Sequence, residues 1–369
     1  MKILLIGNYR GDRQRSMERF SEMLLHALRA EGIEAVMLRP AVIVGGFFRK
    51  LPSLNKWLGY FDKFLLFPFA LRRAVKAHPS RPVHIVDQGN GIYAGWLARN
   101  VGLLGRPTHR TRMPSIVTCH DLLAIRAARG EFPGLRIGWT GKIFQSLILR
   151  GLRHAGTLVC ISGATSRDAQ RLIGASTIIP NGVEDFWQPV DGGEGDYLLH
   201  VGGGHWYKNR PGVVRIFLDL RRTTSHAPRL LMVGPPLHPS LTAELKEAGL
   251  ERDVTIIETA SDEELRALYS GARALLFPSL EEGAGWPILE AQACGCPVIT
   301  RRKEPMIETG GGAALYADDG EWVQAIAHLL EMDAAGRAAI VAAGRENARR
   351  YSVTGMAREY IALYRTLLQ

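Results

Sequence analysis

Two series of short apolar runs, each alternating with stretches of helical spacing, are separated by a Gly-, Pro- and Asp-rich break at residues 181–196. The first series has strands at residues 2–7 (KILLIG), 35–38, 83–87 and 115–119, with a helix at 16–30. The second has strands at 197–201, 229–234, 254–258, 274–278 and 297–300, with helical stretches between them. Alternation of this kind buries parallel strands beneath helices on both faces, which is a doubly wound α/β sheet. Two series require two sheets, and the break reads as their linker. Domains are therefore expected at 1–185 and 186–350, followed by a tail at 351–369 with a last helix near 353–368. The chain has 369 residues, 46% of them hydrophobic, and no low-complexity tract, so each domain can bury its own core. Ligands of such sheets bind at the carboxyl ends of the strands, which predicts an active site in the cleft between the domains.

Composition excludes several classes. No apolar run reaches the roughly eighteen residues needed to span a membrane. The opening MKILLIGNYRGD turns polar too early for a secretory signal, so a cytoplasmic protein is expected. Cys119, Cys160, Cys294 and Cys296 are too scattered for a disulfide framework, and Cys-Gly-Cys lacks zinc-site spacing; buried thiols in a reducing compartment are expected. The net charge of +10 is uneven: residues 1–190 hold 27 Lys or Arg against 12 Asp or Glu, and the remainder 19 against 24. A basic first half implies an anionic partner, either a phosphorylated ligand or an anionic membrane. Nucleic acid is not expected, because no nucleic-acid module is present.

The chemistry concentrates in residues 278–295, PSLEEGAGWPILEAQACG, where Glu282 and Glu290 are separated by seven residues. Gly283 and Gly285 permit backbone conformations that side chains forbid, and Pro287 suits the first turn of a helix, so a helix is expected to start near Trp286. Its early N–H groups and positive dipole end suit a phosphate. A carboxylate on either side can accept hydroxyls, as a sugar on one side and a ribose on the other would offer. Taken alone, the spacing is more often that of a solvated loop glutamate and a helix-face glutamate. The surrounding residues decide.

Residues 278–299 follow, almost throughout, the pattern Pro-Ser, then Glu-Gly-x-Gly-x-Pro, then Glu-Ala-x-Ala-x-Gly-x-Pro-Val-Ile. With MKILLIGN at the start, VTCHD at 117–121, VCISGATSRD at 159–168, IIPNGVEDFWQP at 178–189, LLHVGGGHWYKN at 198–209 and SDEELRALYSGARALLFPS at 261–279, the chain resembles the retaining GT-B glycosyltransferases of family four over nearly its whole length. The resemblance implies two Rossmann-like domains facing across a cleft, with the last helix packed back on the first domain. It implies a nucleotide-diphosphate sugar as donor, held by Gly203, Lys208, Asn209, Glu282, Gly283, Ala284, Gly285, Trp286, Pro287 and Glu290. Lys208 takes the donor phosphate, Glu282 the sugar hydroxyls and Glu290 the ribose. His120, after the strand at 115–119, is expected to project into the cleft beside the donor sugar. Catalytic roles thus fall to His120, Lys208 and Glu282.

Departures from the pattern matter. Many relatives carry an arginine where this chain has Gly203, and Arg210 is the residue at hand to compensate. The usual glycine-rich first loop is reduced to Gly7 and Gly11; Arg10, Arg13, Arg15 and Asn90 are weaker acceptor-side or phosphate-side candidates, as are Ser162 and Thr165. Asp121 either orients His120 or caps the next helix. No Asp-x-Asp motif occurs and no metal or cofactor is expected, the positive charge coming from Lys208 and the helix start.

The acceptor side is open between a glycan and a lipid-linked molecule of cell-envelope polysaccharide assembly. Residues 47–76 carry Leu54, Trp57, Leu58, Phe61, Phe64 and Leu65 at helical spacing among Lys50, Lys56, Lys63, Arg72 and Arg73. The stripe reads equally as a membrane-surface helix and as a crossover helix packed into the first domain, with Pro68 interrupting either. A sugar-nucleotide epimerase and a non-catalytic nucleotide-sugar-binding subunit are the alternatives to a transferase.

Overall fold

The computed structural model describes residues 1–12, 14–44, 58–77, 82–104, 115–192, 195–224 and 227–369. The chain divides into two units, one of Met1–Asn181 with Val353–Gln369 and the other of Gly182–Ser352. Counted by unit, the first holds 29 Lys or Arg against 11 Asp or Glu, +18, and the second 17 against 25, −8.

Among the described residues the first unit is built on six strands, β1 (Lys2–Ile6), β2 (Glu34–Leu38), β3 (Val83–Ile85), β4 (Ser115–Cys119), β5 (Thr157–Cys160) and β6 (Thr177–Ile178), all parallel in the order β2-β1-β3-β4-β5-β6. Leu4, Ile6, Ile85, Val117 and Leu158 project from them onto Phe67, Leu71, Tyr93 and Ile148 of the covering helices. The near-continuous apolar strands follow from burial on both faces of a parallel sheet. The helix Arg15–Ala30 buries Phe20, Met23, Leu24 and Leu28, one face at helical spacing.

Polar groups on the strands anchor the C-terminal helix, Val353–Leu368. His84 of β3 bonds the Tyr364 hydroxyl through Nδ1 at 2.6 Å and Thr118 Oγ1 of β4 through Nε2 at 2.7 Å. Thr118 in turn meets the Tyr360 hydroxyl at 2.8 Å. All four are fully buried. Burial pushes the His84 imidazole down to about 3, with His120 adding to the effect, so it stays neutral.

Two expectations about the aromatic stripe change. Pro68 does not end the helix: a π turn at Asp62–Leu66 runs directly into the helix Phe67–Ala77, and the Phe67 N–H donates to the Asp62 carbonyl five residues back. The wider turn absorbs the hydrogen bond that proline removes. Lys63 is no surface cation; it is buried, with Nζ 2.8 Å from Asp12 Oδ2 and lying over the rings of Tyr9, Tyr60 and Phe64. Leu54, Trp57, Lys50 and Lys56 lie outside the described residues. No described helix is long and apolar enough to cross a membrane.

The second unit has six parallel strands, β7 (Tyr197–Val201), β8 (Arg229–Val233), β9 (Val254–Ile257), β10 (Ala274–Phe277), β11 (Val298–Arg301) and β12 (Ala314–Ala317). Their order, β12-β11-β10-β7-β8-β9, is that of a dinucleotide-binding sheet, whereas the first sheet has the flavodoxin-type order. Leu198, Leu230, Met232, Leu276 and Ile299 pack beneath Val213, Phe217, Trp322 and Ile326 on one face. Leu199, Leu275 and Phe277 meet Tyr269, Ile288 and Leu289 on the other. All four cysteines are buried and free, Cys119 and Cys160 lying side by side in the β4–β5 register.

Candidate functional site

In the second sheet, connections from β7 and β10 diverge to opposite sides, so the loops at their carboxyl ends flank a switch point, where parallel sheets bind ligands. β7 runs through Gly202, Gly203 and Gly204 into the short turn Trp206–Lys208. β10 runs through residues 278–285 into the helix Trp286–Ala293. The two loops are stitched together. Leu280 N–H donates to the Tyr207 carbonyl at 2.7 Å, and Asn209 Nδ2 to the Pro278 carbonyl at 3.0 Å. Lys208 Nζ pairs with Glu282 Oε1 at 2.7 Å, both side chains largely buried. The rings of Tyr207 and Phe277 flank the ammonium at 5.6 and 5.3 Å, which holds a cation favourably against aromatic faces.

Gly285 caps the helix with φ +98° and ψ +50°, a left-handed conformation that glycine adopts without strain. Pro287 lies in the first turn, where a missing N–H costs nothing. The turn is held by Thr309, which the sequence did not flag, and by Trp286, which it did. Thr309 Oγ1 donates to the Ala284 carbonyl at 2.6 Å, and Trp286 Nε1 to the Gly182 carbonyl at 3.1 Å. One turn inside, Glu290 is buried and accepts the Tyr269 hydroxyl at 3.1 Å. Burial, then the Glu290 charge, hold Tyr269 protonated as that donor.

Lys208, Glu282, Gly283, Ala284, Gly285, Trp286, Pro287 and Glu290 are thus brought together at one switch point. Two neighbours read differently from expectation. Arg210 does not replace the arginine absent at Gly203: it is buried, and its guanidinium donates to the carbonyls of Gly202 at 3.1 Å and Pro235 at 2.6 Å. Those carbonyls, left under the loop by the turn, claim it first. Gly203 itself is exposed, with only His205 within reach of an added Cβ, at 3.9 Å. The side chain of Asn209 is engaged within the protein: in left-handed conformation (φ 52°) it caps the helix Arg210–Thr223 through Gly212 N–H at 3.2 Å. Through these bonds it sets the loop. Beneath the loop, burial pushes His200 down to about 3, and its Nε2 has no partner among the described residues.

The first unit holds the remaining candidates. His120, expected beside the donor sugar, follows β4. It is buried, its ring set edge-on to Phe20 at 4.6 Å, with Nε2 2.9 Å from the Val86 carbonyl. A carbonyl can only accept, so Nε2 carries the proton and Nδ1 is left with its lone pair, unpartnered among the described residues. Burial lowers its pKa, keeping the ring neutral. Around it, Asn8 donates to Gln14 at 2.7 Å and to Asp87, Asn90 donates to Asn8 Oδ1 at 2.9 Å, and Gln88 Oε1 takes the His120 N–H at 2.8 Å. Asn90 therefore belongs to a polar cluster at the ends of β1, β3 and β4, the first sheet's own switch point. Sequence reasoning missed Asn8 and Asp87, although both follow apolar strands. Gly11 is accounted for by packing, since a Cβ there would meet the Tyr9 ring at 2.3 Å. Ser162 and Thr165 form a helix N-cap, and Asp121 accepts from Leu123 N–H at 2.9 Å. Arg10 is exposed and lies 3.5 Å from Glu22; Arg13 lies outside the described residues.

Two doubly wound parallel sheets, each a unit of its own, are the architecture of a GT-B protein. The chain matches the family described as Glycosyltransferase Family 4 over residues 17–185 and that described as Glycosyl transferases group 1 over 195–332, and it belongs to these glycosyltransferases. It is similar to the O-antigen chain mannosyltransferase B of Escherichia coli, 30% identical over 175 residues, 46% of this chain and 46% of that one. The D-inositol 3-phosphate glycosyltransferase of Mycobacterium tuberculosis strain F11 is 26% identical over 301 residues, 73% of this chain and 60% of that one. The match to the mannosyltransferase thus spans a little under half of that relative's length. In fold it is similar to sucrose-phosphate synthase from Thermosynechococcus elongatus (TM-score 0.74, 19% identity, 100% of this chain and 99% of that one). It is likewise similar to Anabaena HepE in complex with UDP and glucose (TM-score 0.71, 16% identity, 99% and 100%).

Proposed function

We propose that the chain transfers a hexose-type sugar from a nucleotide-diphosphate sugar to a glycan or lipid-linked acceptor in cell-envelope polysaccharide assembly, with retention of anomeric configuration and without a metal. The observation that carries this is the Lys208–Glu282 pair beside the Gly285-capped helix, with Glu290 buried one turn inside. Breaking the bond between the sugar and the diphosphate leaves negative charge on phosphate and oxocarbenium character on the sugar. Lys208 and the helix start supply positive charge where the leaving group forms. Glu282, now on Lys208, exchanges that partner for sugar hydroxyls as the diphosphate takes the ammonium, and Glu290 accepts the ribose hydroxyls. The acceptor oxygen bonds the anomeric carbon from the face the diphosphate leaves, and its proton passes to the departing phosphate oxygen. Both glutamates flank an anion site, an arrangement for gripping substrate rather than for double displacement. The O-antigen chain mannosyltransferase among the relatives supports the glycan acceptor.

The test is a panel of UDP-, GDP-, ADP- and TDP-sugars with and without acceptor extract and with chelator. Acceptor-dependent nucleoside diphosphate release supports transfer, an altered sugar nucleotide points to epimerisation, and neither leaves a binding subunit. In the same assay Glu290→Ala should raise the donor KM roughly tenfold or more, the loss of charged hydrogen bonds. Unchanged donor affinity would remove the ribose role.

A further inference from the structure

On the first unit, two neighbouring helices expose large apolar side chains. Phe61, Leu65 and Phe69 recur every fourth residue along residues 58–77, and Trp139, Ile143 and Leu147 do so along the helix Trp139–Leu152. Phe69 is 68% exposed and Trp139 74%, the two highest values among the described large hydrophobic residues. The helices share one surface: Phe144 stacks on Tyr60 at 5.5 Å and meets Phe64 at 5.6 Å. Phe64, Pro68, Phe144 and Leu147 line a common apolar groove of about 300 Å³. An isolated exposed apolar residue needs no explanation, but a contiguous set of this size marks an interaction surface.

The charge around the set says what the partner is. Residues 58–77 contain a single acid, Asp62, which is buried, and residues 136–153 contain none. Arg73, Lys76, Lys142 and Arg150 are exposed on the same helices, in a unit that carries +18. An apolar stripe edged by lysine and arginine, on helices too short and too polar to span, fits the interface of an anionic bilayer, where rings and aliphatic chains enter the acyl boundary and cations meet the headgroups.

We propose that the face formed by residues 58–77 and the Trp139–Leu152 helix docks this protein on an anionic lipid surface, with Phe69 and Trp139 as the inserted side chains. The lipid-linked acceptor reading gives this docking its purpose, and the surface alone carries it. The test uses the full chain and vesicles of phosphatidylcholine with or without phosphatidylglycerol, by flotation and Trp fluorescence. Binding is expected to the phosphatidylglycerol vesicles at low salt, with weakening at high salt and a blue shift of the emission. The double variant Phe69→Glu/Trp139→Glu should bind at least about tenfold more weakly while keeping its melting temperature, because both side chains are exposed. Donor turnover with water or a soluble acceptor, measured on the same samples, separates the two proposals: unchanged turnover with lost vesicle binding supports docking. Absence of vesicle binding at low salt overturns it. So does a concentration-dependent dimer in lipid-free sedimentation that the double variant dissolves, because the face is then a protein interface.

Discussion

Lys208 and Glu282 bond each other at 2.7 Å, and a diphosphate reaching the same loops must draw the ammonium from its carboxylate partner. Replacing Lys208 by Ala should lower kcat/KM by roughly 10²–10³-fold, the cost of losing one preorganised group that stabilises developing charge. Lys208→Arg should recover only part, because the narrow seat between Tyr207 and Phe277 suits a compact ammonium rather than a planar fork. Steady-state kinetics with saturating acceptor check both, and wild-type turnover in Lys208→Ala would exclude the phosphate role. At this scale the legible residues were those with unusual backbone or charge. Gly285 and Pro287 stand out in the sequence because each restricts the local backbone, and Lys208 and the two glutamates because each follows a strand or a helix start with a charge. Arg210 was misread because arginine looks alike in sequence whether it meets solvent or the carbonyls of Gly202 and Pro235.

The buried histidines of the strands belong to the scale of elements. His84 ties β3 and β4 to the C-terminal helix, and His200 sits on β7 beneath the glycine loop; burial depresses each to about 3. Unfolded, each takes up a proton near pH 6.5, so between those values the unfolded state binds more protons and stability falls as pH falls. His84 and His200 should each cost their unit about 2 kcal/mol by pH 5, with no comparable change between pH 7 and 8. Urea denaturation at these pH values measures it, and a flat profile from pH 7 to 5 would show that both rings are already protonated or exposed. Elements were legible where apolar runs were long. β5, β6 and β12 escaped the periodicity reading: β6 has two residues, too few to show a period, whereas β5 and β12 are as long as β10 and β11, and their length does not account for it. The helix through Pro68 was misjudged because a π turn, which no local pattern announces, takes up the lost hydrogen bond.

For the whole molecule, the first unit is closed by the last residues of the chain. Val353–Gln369 belong to it, and the helix buries Met356, Ala357, Tyr360, Ile361 and Tyr364 there. Truncation after Ser352 should therefore unfold the first unit while leaving the second folded, seen as a lost melting transition with a nucleotide diphosphate still raising the Tm of the other. A single shifted transition would mean that the helix is dispensable. The sequence alone determined the two doubly wound sheets, the break between them and the loop that carries the paired glutamates. Burial periods, glycines and prolines are local constraints, and they act on neighbours along the chain. The tertiary structure alone decided which partner each polar group takes: Lys208 with Glu282, Arg210 with buried carbonyls, His120 with Val86, and an exposed apolar face shared by two helices far apart in sequence. Those pairings depend on distances between segments that the fold brings together, and no local pattern encodes them.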